Sequence, residues 1–172
     1  MSNNEKSTQE LSQDCIALQE SKQTLLLSTV NSEGNPEISY APYYRDAEGE
    51  FYLFISELAA HTKNLMLHNQ ASIMFIMDEE QSRNQFARER LIYQCEVSQV
   101  SRTEVNYQAA LDAMEQKFGS IMSMLKTLQD FHMFRLKPYS GTYVVGFGRA
   151  YEVDPKTGAL EHISEQKIKN RG

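Results

Sequence analysis

Between Thr24 and Phe75 the chain alternates short apolar runs with turn signals and inserts one helical patch. That order suits a small antiparallel β structure carrying an inserted helix. TLLLSTV, residues 24–30, is an almost continuous apolar run, as expected of a strand buried on most sides. Asn31 to Asn35 supplies turn chemistry, with Gly34 free to take positive φ. Pro36 opens the next strand, where its missing N–H costs little. Along it, Ile38, Tyr40 and Pro42 face one side, Ser39 and Ala41 the other. Asp46-Ala47-Glu48-Gly49 closes a second hairpin into FYLFIS. A helix from about Leu58 to His68 follows, and ASIMFIMD returns as a strand.

The remaining chain continues in this style. Leu11, Cys15, Leu18 and Lys22 recur at helical spacing, which predicts a short helix from about Glu10 to Lys22, while residues 1–9 carry no structural signal. Residues 79–89 are polar and read as loop or helix; ERLIYQCEVSQVSR is a long strand with alternation at Leu91, Tyr93, Cys95 and Val97. Residues 104–129 read as two helices broken at Gly119. Asp130–Leu136 and Gly141–Val153 are the last strands, separated by Pro138-Tyr139-Ser140, and the tail from Asp154 has no strong element. The expectation is a mainly β fold with inserted helices: a six-stranded antiparallel barrel that removes its edges by closing. It divides into residues 1–22, a polar segment and helix; 23–153, the barrel; and 154–172, a polar tail. A barrel this small is filled by its own side chains, so a large ligand belongs outside, in a groove shared with a second subunit.

Composition narrows the partners. A net charge of −6 argues against nucleic-acid binding, which needs clustered Lys and Arg, so the group Arg83, Arg88 and Arg90 reads as a small-anion site. No apolar run approaches the ~20 residues that span a bilayer. The first residues lack the apolar core of a signal peptide. Cys15 and Cys95 are too few for a disulfide framework, and with no CxxC or Cys/His cluster they point to a reducing, cytoplasmic compartment.

The residues able to carry chemistry gather at the strand-to-helix corner: Ser56, His61, Lys63 and Asn64. A helix start beside a cation favours an anion, through unpaired N–H groups and the helix dipole. His61 is either such a contact, to a phosphate, a carboxylate or a metal-bearing cofactor, or a solvent-facing helix residue. His68 reads as a helix C-terminal residue, His132 as a strand residue facing water, and His162 as tail decoration or a mobile ligand. Asp130 either ends a helix or accepts a proton from a histidine, the arrangement that backs a metal-bound imidazole. Arg90 opens a long strand, where its fork suits a phosphate or carboxylate or a structural ion pair. Gly146 and Gly148 permit a bulge rather than a phosphate loop, and the methionines read as core filling before cofactor contacts. No GxGxxG, GxxxxGK, nucleophile elbow or HExxH occurs, and Ser28 and Ser39 have no visible triad partners.

In combination, LLLSTVNSEGNPEISYAPY, FISELAAHTKNL, ASIMFIMDEE, FARERLIY, LQDFHMFRL and GFGRAY resemble the split-barrel proteins related to pyridoxamine 5′-phosphate oxidase. They are most similar to the HugZ-type branch, haem-utilisation proteins of Gram-negative bacteria, over Ser21 to Tyr151. The resemblance implies an FMN-binding-type split barrel, assembled as a homodimer with ligand sites at the subunit interface. It further implies haem binding, with oxygen-dependent haem degradation. By the same resemblance His61 matches the histidine that replaces a flavin-phosphate cation. Arg90 matches the arginine of the FAR-x-R-L element, and Asp130 the acid supporting the haem-ligating histidine across the dimer. The family's axial histidine lies in a Gly-His element; here His162 matches the histidine preceding it, and ISEQKIKN follows without Gly-His. His162 is therefore the expected metal ligand. The alternatives are an FMN oxidoreductase using Lys63, Arg90 and Ser56 on the phosphate, which His61 disfavours, and a non-catalytic haem carrier, which the missing Gly-His favours.

Overall fold

The computed structural model describes residues 6–164. The first element, α1 (Thr8–Glu20), is set by its cap: Glu10 N–H donates to the Ser7 hydroxyl and Ser7 N–H to the Glu10 carboxylate. The helix therefore starts ahead of the apolar spacing that buries Leu11, Cys15 and Leu18. Of the stretch expected to lack structure, Thr8 and Gln9 are helical, and residues 1–5 lie outside the described residues.

The strands are β1 (Thr24–Val30), β2 (Pro36–Pro42), β3 (Tyr44–Arg45), β4 (Phe51–Ser56), β5 (Gln70–Ile76), β6 (Arg90–Val100), β7 (Phe131–Gly146), β8 (Arg149–Val153) and β9 (Leu160–His162). Between them stand α2 (Ala60–Leu67), α3 (Val105–Phe118) and α4 (Ile121–Leu125). The hydrogen-bonded order is β2-β1-β5-β6-β7-β4-β3, with β8 on β7 and β9 on β8. The pairs β1–β2, β3–β4, β4–β7, β7–β8 and β8–β9 are antiparallel, as the hairpin signals predict. None of the described helices is long and apolar enough to cross a membrane.

The sheet has nine strands where six were expected, and among the described residues it runs from β2 to β3 without the closure that was expected to remove its edges. Two of the additions are very short: β3 forms opposite Tyr52 and Phe51, and β9 forms in the tail. The tail turns back because Asp154 ties its own turn. Its carboxylate accepts from the N–H groups of Lys156 and Thr157, its N–H donates to Ala159 C=O, and Gly158 takes φ +70°. A second correction concerns Pro138, expected to separate two strands. β7 runs through it, because its pairing with β4 ends at Leu136 and its pairing with β8 begins at Gly141, so Pro138 falls between the two registers. The turn into β8 comes instead at Gly148, with φ +65°. The polar 79–89 stretch forms two 3₁₀ turns, Glu79–Gln81 and Gln85–Ala87.

The described residues fold as two compact units, one of residues 6–22, 74–93 and 139–164, the other of 23–73 and 94–138. In the first, Tyr143 is fully buried and its hydroxyl donates to the Glu89 carboxylate. In the second, Tyr52, Phe54, Val100, Tyr107, Met114, Met122 and Met133 form a shared core, so three of the methionines do fill core space.

Candidate functional site

In the second unit, β4 ends at Ser56 opposite Phe131, the first residue of β7. One step beyond the register, Glu57 N–H donates to the Asp130 carbonyl at 2.8 Å. The Ser56 hydroxyl donates to Asp130 Oδ2 at 2.5 Å and accepts from Leu58 N–H at 3.1 Å. Ser56 and Asp130 are thus brought into direct contact, and the serine hydroxyl serves the corner itself. Asp130 keeps its second carboxylate oxygen for another donor.

The corner delivers α2, whose N-cap Ala59 offers no side-chain cap. Its first-turn N–H groups and dipole therefore favour a negative group from outside. His61 is half-buried, and desolvation pulls its pKa below the usual 6.5. At neutral pH it is an uncharged ring that donates or accepts a hydrogen bond. Lys63 is exposed and makes no ion pair among the described residues, so it is the cation of this segment. Asn64 is buried and faces the other way. Its Nδ2 donates to Thr29 Oγ1 at 2.9 Å and to Glu37 Oε2 at 2.8 Å, fastening α2 to β1 and β2. Those bonds, with one from Asn31, hold the Glu37 carboxyl below its usual range. Around the polar groups α2 leaves apolar side chains uncovered: Leu58 is 89% exposed, and Met66 and Leu67 are exposed too.

Sequence reasoning missed a second network here. His132 does not simply face water: its Nε2 meets Glu57 Oε1 at 2.5 Å and its Nδ1 meets Gln99 Nε2 at 3.0 Å. Strand alternation set His132 apart from Phe131 and Met133. Which partners it meets depends on the register Ile55↔His132, which no local signal encodes. His132 also lines a groove of about 500 Å³ with Gln99, Ser101, Arg102 and Tyr107.

Arg90 and His162 belong to the first unit. Arg90 is half-buried, donates from Nη1 to Arg88 C=O at 3.1 Å and makes no ion pair among the described residues. Arg88 is committed elsewhere, to Met77 C=O at 2.6 and 3.1 Å and to Glu79 at 3.1 Å. His162 is exposed at the end of β9, its ring edge-on to Tyr151 at 5.3 Å. Its Nε2 lies 3.2 Å from Gly148 C=O. A carbonyl only accepts, so Nε2 carries the proton and Nδ1 presents the lone pair.

Comparison with known proteins adds independent findings. The sequence pattern of pyridoxamine 5′-phosphate oxidase matches residues 11–145. Haem oxygenase HutZ of Vibrio cholerae is 43% identical over 132 residues, 77% of this chain and 74% of that protein. The crystal structure of Vibrio cholerae HutZ, there called a haem storage protein, superposes with a TM-score of 0.73 at 35% identity, over 78% of this chain and 96% of the other. Campylobacter jejuni ChuZ superposes with a TM-score of 0.81 at 28% identity, over 94% of this chain and 65% of ChuZ.

Proposed function

This chain belongs to the pyridoxamine 5′-phosphate oxidase family, in the branch that includes HutZ, and on that footing we propose that it binds haem in haem utilisation, at a site shared by two copies of the chain. One observation carries the choice of ligand: α2 presents Lys63 and His61 beside uncovered Leu58, Met66 and Leu67. Cation and bare apolar surface together suit a broad apolar ring bearing carboxylates. A small, fully polar phosphate would leave the apolar part unused. The candidate residues carry the chemistry such a ligand needs. Lys63, the His61 ring and the α2 amides would take one carboxylate, and the Arg90 fork another. His162 would offer Nδ1 to the metal, its Nε2–H being held by the Gly148 carbonyl, and Asp130, oriented by Ser56, would keep its second carboxylate oxygen for a donor at the ligand. Bound haem would supply the oxygen and electron chemistry; the protein binds it, orients it and tunes it. Asn64 acts behind this set by fixing α2.

The finer architecture belongs to the same proposal: residues 23–153 as a split barrel paired as a homodimer. Ile38 and Tyr40 support it, being 72% and 66% exposed on β2 at one end of the sheet order. A cytoplasmic setting accords with the buried thiols of Cys15 and Cys95. FMN, held by Lys63 and Arg90, is the competing ligand. It draws less support because the Ser56 hydroxyl is already engaged by Asp130 and His61 is a neutral ring.

Degradation and carriage separate in one assay. Hemin-loaded protein given ascorbate under oxygen is expected to lose its Soret band within minutes to hours. A band that persists under these conditions, with catalase present, would make the protein a carrier.

A further inference from the structure

Three contacts converge on Ser56 and Glu57, where β4 passes into the α2 turn, and a fourth braces one of their partners. Ser56 is held through its hydroxyl by Asp130 Oδ2, and Glu57 through its N–H by Asp130 C=O. The Glu57 carboxylate is held by His132 Nε2, and His132 in turn by Gln99. The amide of Gln99 meets Nδ1 with its NH₂ group, which only donates, so Nδ1 is the acceptor and Nε2–H is donated to Glu57. Each ring nitrogen has one task, and together they connect the end of β6 to the residue two before the N-cap of α2. The His132 side chain is 22% exposed and that of Glu57 50%, so the contact is shielded from the histidine side only.

We infer that His132 is a positioning residue for the ligand site. Through Glu57 it fixes the turn Ser56–Ala59 and thereby the direction in which the first-turn amides of α2 point, without touching the ligand. A pre-set turn spends no ordering entropy when an anion arrives. Freed from His132, Glu57 would carry its negative charge near the start of α2, where it competes with an incoming carboxylate. The inference rests on the reading of α2 as the carboxylate-binding segment.

Its test therefore has one arm that needs no ligand. In the unliganded full chain, His132→Ala is expected to raise amide hydrogen exchange at Glu57 and Leu58 by about tenfold, the effect of losing one charge-assisted bond. The core strands β1 and β6 should keep their protection. His132→Gln, which keeps a donor for Glu57, should restore most of it. In the second arm, hemin affinity should fall about tenfold in His132→Ala and recover in His132→Gln. Unchanged exchange at Glu57 and Leu58, or an increase spread equally over the core strands, would overturn the inference. Localised exchange with no hemin binding in any variant would retain His132 as the clamp and reject the haem reading instead.

Discussion

Alanine at position 143 is expected to lower the stability of the fold by about 3–5 kcal/mol, the usual cost of emptying a fully buried aromatic site. The melting temperature should fall by roughly 10 °C or more for a domain of this size. Tyr143 is 0% exposed, and its hydroxyl donates to the carboxylate of Glu89, the residue before Arg90. Phenylalanine keeps the ring and removes only that donor, so Tyr143→Phe should cost about 1–3 kcal/mol by leaving Glu89 unpaired. Equal losses for the two variants, measured by urea unfolding, would show that the hydrogen bond and not the packing dominates. The same pair sets an alkaline limit. Burial first, then the bond to Glu89, raises the Tyr143 pKa above its usual value of 10.0. A raised folded-state pKa gives stability that is complete below pH 10 and declines as pH climbs beyond it. Tyr143→Phe should flatten that decline.

The second large effect concerns His162. If its Nδ1 lone pair holds haem iron, His162→Ala should weaken hemin binding by at least about a hundredfold, the upper end of what removing even an outer partner costs. The Soret maximum should move to that of weakly held hemin, and added imidazole should restore a low-energy Soret band by entering the vacated position. A variant with an unaltered spectrum and affinity would remove His162 from the iron. The ring is well placed for the role because the Gly148 carbonyl fixes its tautomer and Tyr151 its plane.

The readable part of this molecule was the part written locally. The TLLLSTV run, the Asn31–Asn35 turn and the break at Gly119 each stand where their chemistry puts them. Ile38 and Tyr40 do share one side of β2, although it is the exposed side, because alternation fixes which residues share a face and not what covers it. What failed depends on pairing between distant segments. Pro138 looked like a break, and only the exchange of partners along β7 shows why a proline fits there. The tail looked featureless because β9 exists through its register with β8. At the site, Ser56 was legible as a corner residue. Its bond to Asp130, 74 positions away, was not, and the same distance effect hid the contact between Glu57 and His132.

Competitive titration of the full chain with hemin and FMN, followed by absorbance and by flavin fluorescence, tests the central claim most directly. The account predicts a saturable Soret band at one hemin per protomer, undiminished by excess FMN and weakened in Lys63→Ala and Arg90→Ala. Stoichiometric quenching of FMN with no Soret band would contradict it.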